Sequence, residues 1–412
     1  MVNYAATTSG DHTTEPQGEA ESRHKVGLSV CLLVTDIDSL TGGIQKQSHH
    51  LLLELNRRGV GTYVCARNYC GKPRQEIQKG VFIHRSPVIS RSLPALNSIL
   101  YLVDALAWLI RNRKRYQVIH CQQMFGAAMV GLLAKKLLHK PVVVRVTTSG
   151  ELGEVRHLPQ MPLAGWRLRQ LRGVDGWVAL TAAMKGEIHT LGVPSERVSI
   201  ISNAAEIPVD ASFDPVARER YRASLGLSYR PLVVFSGRLS QEKGLDTLLQ
   251  AWKLLHSQRP PAHLLLLGEG GAFRNVEAAL RALCRDLKLD EVVHFLGHLP
   301  NVGEYLLASD VFVLPTRTEG MSNALIEAMA AGMAIVTTDI PANRELFQDE
   351  VNALLVRPDD SQGLATAISR LLADPPLARR LGQAAREKAI GDLSVAAMAT
   401  RYLALYSRLT AL

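Results

Sequence analysis

The chain has 412 residues, 47% hydrophobic and 21% charged. That is the make-up of a globular protein of two or three domains, and it excludes a wholly disordered chain. A net charge of +9 suits a partner bearing phosphate or an anionic membrane face; no zinc-finger spacing or RNA-binding signature accompanies the basic residues, so nucleic acid is set aside.

Residues 1–24 lack the apolar core of a signal peptide and read as a disordered leader. "VGLSVCLLVTDI" (Val26–Ile37) predicts a buried strand. "TGGIQKQSHHLLLELNRRG" then turns on Gly42 and Gly43 into a helix ending at Gly59. Paired glycines let backbone amides approach a ligand at the positive end of a helix, although strand-to-helix turns use glycine routinely. "VGTYVCAR", "VFIHRS", "YQVIHCQ" and "KPVVVRVTT" predict further strands.

Between them, Leu93–Ile110 is the most apolar long window, interrupted by Asn97, Ser98 and Asp104. A membrane span wants about 20 mostly apolar residues. The window therefore reads as a core helix or as a helix lying on a membrane surface, helped by the basic run Arg111–Arg115 behind it. The five cysteines, an odd number without a CxxC, fit reduced thiols in the cytoplasm.

The pattern breaks over residues 203–230, where "NAAEIPVDASFDP" suits an interdomain linker. It then restarts with "RPLVVFSGRLSQEKGLDTLLQAWKLL", "AHLLLLGEGG", "EVVHFLG", "DVFVLPTRTEG" and "MAIVTTD". Strands alternating with helices in both halves predict an α/β protein of two doubly wound parallel sheets, residues 25–205 and 206–395. Their strand carboxyl ends would line a shared cleft, where ligands bind in open α/β sheets.

Three stretches at those ends carry chemistry. "GRLSQEKG" (Gly237–Gly244) sets Arg238 and Lys243 on one loop. A guanidinium fork and an ammonium stabilise a departing diphosphate; a solvated basic loop with Glu242 as local partner is the alternative. "GEGG" (Gly268–Gly271) departs from the dinucleotide fingerprint. In "TEGMSNALIEAMAAG" (Thr318–Gly332) the helix should start near Ser322 or Asn323, either of which can cap it, and stop at Gly332. Glu319 then lies on the loop over the cleft, within reach of sugar hydroxyls. The amides of Met321, Ser322 and Asn323 face a phosphate at the helix start. Glu327 lies about one turn in, placed for a vicinal diol; among apolar neighbours its carboxylate needs a partner.

In this order, "GGI", "GRLSQEKG", "LLLLGEGG", "DVFVLPTRTEGMSNALIEAMAAGMAIVTTD" and "NRELF" resemble the retaining glycosyltransferases of family 4, glycosyl transferases group 1. The likeness runs from residue 26 to about residue 405 and is strongest in the C-terminal half. It implies the GT-B fold, two Rossmann-like domains facing across a cleft, with a last helix near Ala396–Leu409, within residues 396–412, crossing back onto the first domain. It implies a catalytic set of Arg238 and Lys243 on the donor diphosphate and Glu319 on the donor sugar, with Glu327 on the ribose. Gly42 and Gly43 would sit where donor phosphate and acceptor meet. Gly237, Gly268, Gly320, Met321, Ser322 and Asn323 would complete the donor site, and the base would rest near Phe295–Pro300, at His298. In such enzymes a donor phosphate oxygen takes the acceptor proton on the face from which the nucleoside diphosphate departs. The resemblance thus implies no metal, covalent intermediate or cofactor, the nucleoside-diphosphate sugar being substrate.

Two departures stand out. Many relatives carry a histidine after the strand matched by "KPVVVRV", where this chain has Thr147, Thr148 and Ser149; His120 and His157 lie off that position. "SNAAE" (Ser202–Glu206) replaces the usual Asn-Gly turn. The expected function is retaining transfer from a nucleotide sugar to a glycan or lipid-linked acceptor, in cell-surface polysaccharide or glycolipid synthesis, by a cytoplasmic protein resting on the inner membrane face. Acceptor recognition is expected in loops such as Asn68–Lys79 and Ser149–Gly165. The alternatives are a nucleotide-sugar 2-epimerase on the same fold, which the glutamate pair argues against, and a non-catalytic nucleotide-sugar binder, which the missing histidine favours.

Overall fold

A computed structural model describes residues 27–38, 42–90, 92–150, 153–227, 231–256, 262–271 and 274–411. The leader expected over residues 1–24 lies outside the described residues, as do Thr41, Glu151 and Leu152.

Among the described residues the first half builds an eight-stranded sheet of order β3-β4-β2-β1-β5-β6-β7-β8. Its strands are β1 (Ser29–Leu33), β2 (Gly61–Arg67), β3 (Gln75–Gln78), β4 (Val81–Ser86), β5 (Val118–Cys121), β6 (Val142–Arg145), β7 (Gly176–Ala179) and β8 (Val198–Ile200). Helices α1 (Gly43–Arg57), α2 (Pro94–Arg111), α3 (Gly126–Leu138), α4 (Glu154–His157), α5 (Ala164–Leu171) and α6 (Ala182–His189) follow the strands. Strands β1, β5, β6 and β7 are buried along their whole length. Their runs are therefore continuously apolar rather than alternating, as parallel strands covered on both faces require.

The sheet departs from the expected all-parallel plan at one edge, where β3 runs antiparallel to β4. β3 falls inside Asn68–Lys79, a stretch the sequence reads as a loop. Lys79 and Gly80 join the two strands with φ of 50° and 81°, the left-handed pair that a two-residue hairpin needs. Asn56 Nδ2 fixes the turn by donating to the Gly80 carbonyl at 2.9 Å.

The second half builds a parallel six-stranded sheet of order β11-β10-β9-β12-β13-β14. It contains β9 (Leu232–Ser236), β10 (His263–Leu267), β11 (Val293–Gly297), β12 (Val311–Leu314), β13 (Ala334–Thr338) and β14 (Leu354–Val356). Its helices are α7 (Pro215–Ser224), α8 (Leu245–His256), α9 (Glu277–Asp286), α10 (Val302–Ala308), α11 (Asn323–Ala330), α12 (Pro341–Arg344), α13 (Ser361–Ala373) and α14 (Pro375–Asp392). Helix α7 lies within the segment read as linker. Its start is written locally: the Asp214 side chain accepts from Val216 N at 3.0 Å and Pro215 occupies the first turn.

A last helix, α15 (Val395–Thr410), packs on the first sheet. Its Met398, Ala399, Tyr402, Leu405 and Tyr406 are buried in one cluster with Val30, Val118, Val143 and Val178 from four strands and Leu51 and Leu55 of α1. Each large side chain so buried contributes about 1.5–3 kcal/mol. Tyr406 Oη lies 2.7 Å from His120 Nδ1, while the Tyr402 ring packs against the same imidazole at a tilt, 5.1 Å between centroids. Arg58, which caps the end of α1, ties to the start of α15 through Thr400 Oγ1 and the Ala396 carbonyl, each at 2.8 Å. The two chain crossings between halves lie side by side: Ala205 N donates to the Leu393 carbonyl at 2.9 Å, and Val395 N to the Ala205 carbonyl at 3.3 Å.

Helix α2 divides its faces. Asn97, Tyr101, Ala105, Trp108 and Leu109 are buried, while Leu96, Ile99 and Val103 are 39%, 60% and 58% exposed. Among the described residues no helix is long and apolar enough to cross a membrane.

Candidate active site

Adjacent strands β9 and β10 run into Gly237 and Gly268, and β11 ends in Gly297; the three are stitched in sequence. Gly237 N donates to the Leu267 carbonyl at 2.9 Å, and Gly268 N to the Gly297 carbonyl at 2.7 Å. Gly268 has φ of 131°, and a Cβ there would meet the Gly237 carbonyl oxygen at 1.9 Å, so only glycine permits this approach. His298 follows Gly297 on the exposed rim.

The loop after β9 is held against the loop after β12. Thr316 Oγ1 and Arg317 N both donate to the Glu242 carbonyl, at 3.0 and 2.8 Å, and Arg317 Nη1 donates to the Gln241 carbonyl at 2.7 Å. This stitching brings the Lys243 ammonium onto the Glu319 carboxylate in a mostly buried ion pair. Arg238, 60% exposed, extends above them, 3.6 Å from Glu242 Oε1. Burial works against the Glu242 carboxylate. The Ser240 hydrogen bond and the charges of Arg238 and Lys243 outweigh it and hold its pKa below the usual range. Glu242 is thus a partner within the loop, as the alternative reading had it, and the two cations share that loop with it.

Helix α11 begins where the sequence places it. The Ser322 hydroxyl caps it, accepting from Leu325 N at 3.4 Å, and Gly332 follows with φ of 72°. Met321 turns inward, its sulfur accepting from Asn203 N at 3.3 Å. Glu327 has the partner its apolar surroundings require: Lys46 Nζ of α1 donates to Glu327 Oε1 at 2.8 Å across the cleft. Gly43 stands directly opposite α11; a Cβ on it would lie 2.8 Å from Asn323 Nδ2. Gly42 precedes it as the residue flanking the start of α1.

The histidine-lacking loop also faces this region. A Cβ built on Gly320 would lie 3.3 Å from the Thr147 carbonyl oxygen and 3.6 Å from Thr148 Cα. The Thr147 hydroxyl is committed elsewhere, donating to Glu154 Oε1 at 2.5 Å. Glu154 also takes Thr147 N at 2.8 Å and Met124 N at 2.6 Å; burial nevertheless pushes its carboxyl above the usual range. This leaves the Thr147 carbonyl, Thr148 and Ser149 as the groups available where relatives carry histidine. His120 is fully buried under α15, its pKa lowered to about 3 by burial and by the Arg145 charge. His157 ends α4 with Nδ1 3.4 Å from Gln160 Oε1.

The structure therefore gathers Gly43, Arg238, Lys243, Glu319, Gly320, Ser322, Asn323 and Glu327 around one cleft, with Gly237, Gly268 and His298 along its second-sheet rim. Sequence reasoning missed Lys46, Gln47, Arg145 and Asn203. Lys46 carried a faint signal, a cation one turn into the helix opened by Gly42 and Gly43; the others carried none. Among the described residues no group of three histidine, cysteine, aspartate or glutamate side chains could hold a metal ion.

Comparison with known proteins gives the site a context. Residues 217–388 match the model "Glycosyl transferases group 1" and residues 41–207 the model "Glycosyltransferase Family 4". The chain is 26% identical over 321 residues to alpha-D-kanosaminyltransferase of Streptomyces kanamyceticus, covering 73% of this chain and 81% of that one. It is 33% identical over 220 residues to the lipopolysaccharide core biosynthesis glycosyltransferase LpsE of Rhizobium meliloti, covering 53% and 62%. In structure it superposes on Anabaena Alr3699/HepE, solved in complex with UDP and glucose, with a TM-score of 0.74 and 19% identity over 92% of this chain and 100% of that one.

Proposed function

The chain belongs to the family 4 glycosyltransferases of GT-B fold, enzymes that transfer sugar from a nucleotide sugar, and from that premise we propose a retaining enzyme whose acceptor is a glycan or a lipid-linked sugar. The carrying observation is the meeting of Arg238, the Lys243–Glu319 pair and the start of α11 beneath Gly43. Arg238 and Lys243 take the charge that builds on the departing diphosphate. Glu319 accepts hydrogen bonds from the donor sugar, and Glu327 exchanges Lys46 for the ribose diol. Two cations from one loop do this work without a metal, and a donor phosphate oxygen receives the acceptor proton on the departing face.

The membrane enters through the first half. The exposed Leu96, Ile99 and Val103 of α2, the exposed Leu163 and Trp166 at the start of α5 and the basic residues Arg113, Lys114, Arg167 and Arg169 suit an anionic membrane surface. We place the enzyme in the cytoplasm, at the inner membrane face, where a lipid-linked acceptor is presented. Binding to vesicles of anionic lipid that raised salt reverses is the expected result; no binding to such vesicles counts against this placement.

The donor site is tested by calorimetric titration with UDP, GDP and ADP and then their common sugar conjugates, with Arg238→Ala and Glu327→Ala alongside. One nucleotide binding the wild type and losing affinity in both variants is expected. Binding of donor without transfer or slow hydrolysis would favour the non-catalytic reading instead.

A further inference from the structure

Beneath the junction of Gly43 with α11 a chain of polar side chains without a role above leads up to Asn323. Arg145 ends β6 at the carboxyl edge of the first sheet and is 3% exposed. A buried guanidinium ordinarily has a carboxylate partner. Among the described residues Arg145 bonds two side-chain amides and no carboxylate. Nη1 donates to Gln122 Oε1 at 2.8 Å, Nη2 donates to Asn203 Oδ1, and Nε has no partner.

Arginine has five donors and no acceptor. It therefore compels Asn203 to turn its oxygen inward and its NH2 outward, where Nδ2 donates to Asn323 Oδ1 at 2.7 Å. A second constraint reaches the same oxygen. Ala204 N, a backbone group that can only donate, bonds Gln47 Oε1 at 2.9 Å. Gln47 Nε2 is thereby turned to the Ala204 carbonyl at 2.8 Å and to Asn323 Oδ1 at 3.2 Å. With its oxygen held by two donors, Asn323 presents Nδ2 to the cleft, 3.4 Å from the Gly43 carbonyl.

We propose that Arg145 is a positioning residue for the donor: its donor-only character, acting with the Gln47 amide, sets the polarity of the Arg145–Asn203–Asn323 chain, so that Asn323 offers N–H groups rather than a carbonyl to the donor diphosphate. This rests on the donor-site reading above. Turned the other way, the same amide would set an oxygen against the phosphate and exchange attraction for repulsion. At this half-buried position water softens that exchange only in part.

Asn203→Asp is the sharpest test, because a carboxylate satisfies Arg145 with an ion pair yet offers Asn323 only acceptors. Its melting temperature should be at or above that of the wild type. Its affinity for whichever of UDP, GDP and ADP the wild type binds should fall about tenfold or more, with binding of the uncharged nucleoside unchanged. Arg145→Lys keeps a donor-only group and should hold affinity within about threefold; Arg145→Gln, which can present either end, should lose about tenfold. If Asn203→Asp fails to fold, the lysine and glutamine variants decide. Full nucleotide affinity in Asn203→Asp, or equal losses in the two Arg145 variants that track their melting temperatures, would overturn the proposal alone. A wild type that binds none of the three nucleotides would overturn the donor-site reading and this inference together.

Discussion

The two halves of the molecule supply the cleft by different means. In the second half the site residues sit on short motifs that follow strands: Arg238 after β9, Gly268 after β10, His298 after β11, Glu319 after β12, with Glu327 in the helix α11 that comes next. In the first half Arg145 ends β6 and Asn203 follows β8 closely, but position alone gives neither a role. Lys46, Gln47, Arg145 and Asn203 act through partners far away in sequence, such as Glu327 and Asn323. Local geometry writes a motif into consecutive residues; an opposing surface gives a side chain its role without leaving one.

Substitutions in each half can break or sharpen that contrast. The largest effect belongs to the second half. Lys243→Ala removes a cation on the diphosphate and leaves Glu319 without its partner, and should lower the rate of donor turnover about 100- to 1,000-fold. Lys46→Ala opens a half-exposed pair and should shift nucleotide affinity by less than about 1 kcal/mol. Equal losses in the two would erase the distinction.

Next comes Gly43→Ala, whose Cβ would press on Asn323 Nδ2 at 2.8 Å. Overpacking of this kind costs about 1–3 kcal/mol, and it should appear as weaker nucleotide binding in titration, with little change in melting temperature. Tyr406→Phe should do the reverse. It leaves His120 without a partner on either ring nitrogen, costs about 1–3 kcal/mol of stability and leaves nucleotide affinity intact.

The smallest effect concerns acid. The Arg57 hydrogen bond, with Arg58 beside it, outweighs burial and brings the Glu54 carboxyl down to about 2 from an ordinary value of 4.5. A carboxyl with a depressed folded pKa stabilises the fold above its unfolded pKa, and that stability is lost as pH falls through the folded value. Between pH 4.5 and 2 the α1–α15 contact should loosen, and hydrogen exchange of α15 amides should report it. Exchange in α15 that stays flat over this range would remove Glu54 from the contact.

What was legible follows the same division. The fold class, the central strands and the limits of α11 were written in apolar runs, in Ser322 and in Gly332. The hairpin of β3 and β4 was not, because its turn is Lys79–Gly80 rather than the Asn-Gly or Asp-Gly pair that announces such a turn. Helix α7 was missed although Asp214 and Pro215 mark its start; the prolines around it suggested a linker. Strands β8 and β14 have three residues each, too few for a periodicity to show. Arg145 reads as one arginine in "VVVRV", and nothing in its neighbours says that the chain returns with two amides rather than an acid.

The seat of α15 has a consequence for how the protein is made. The first sheet exposes Val30, Val118, Val143 and Val178 on one face until Met398, Tyr402, Leu405 and Tyr406 cover them. Synthesis runs from the N-terminus, so the whole second half leaves the ribosome before that cover exists. The domain begun first is completed last, and a nascent chain stopped short of Val395 carries an open apolar sheet face that a chaperone must shield.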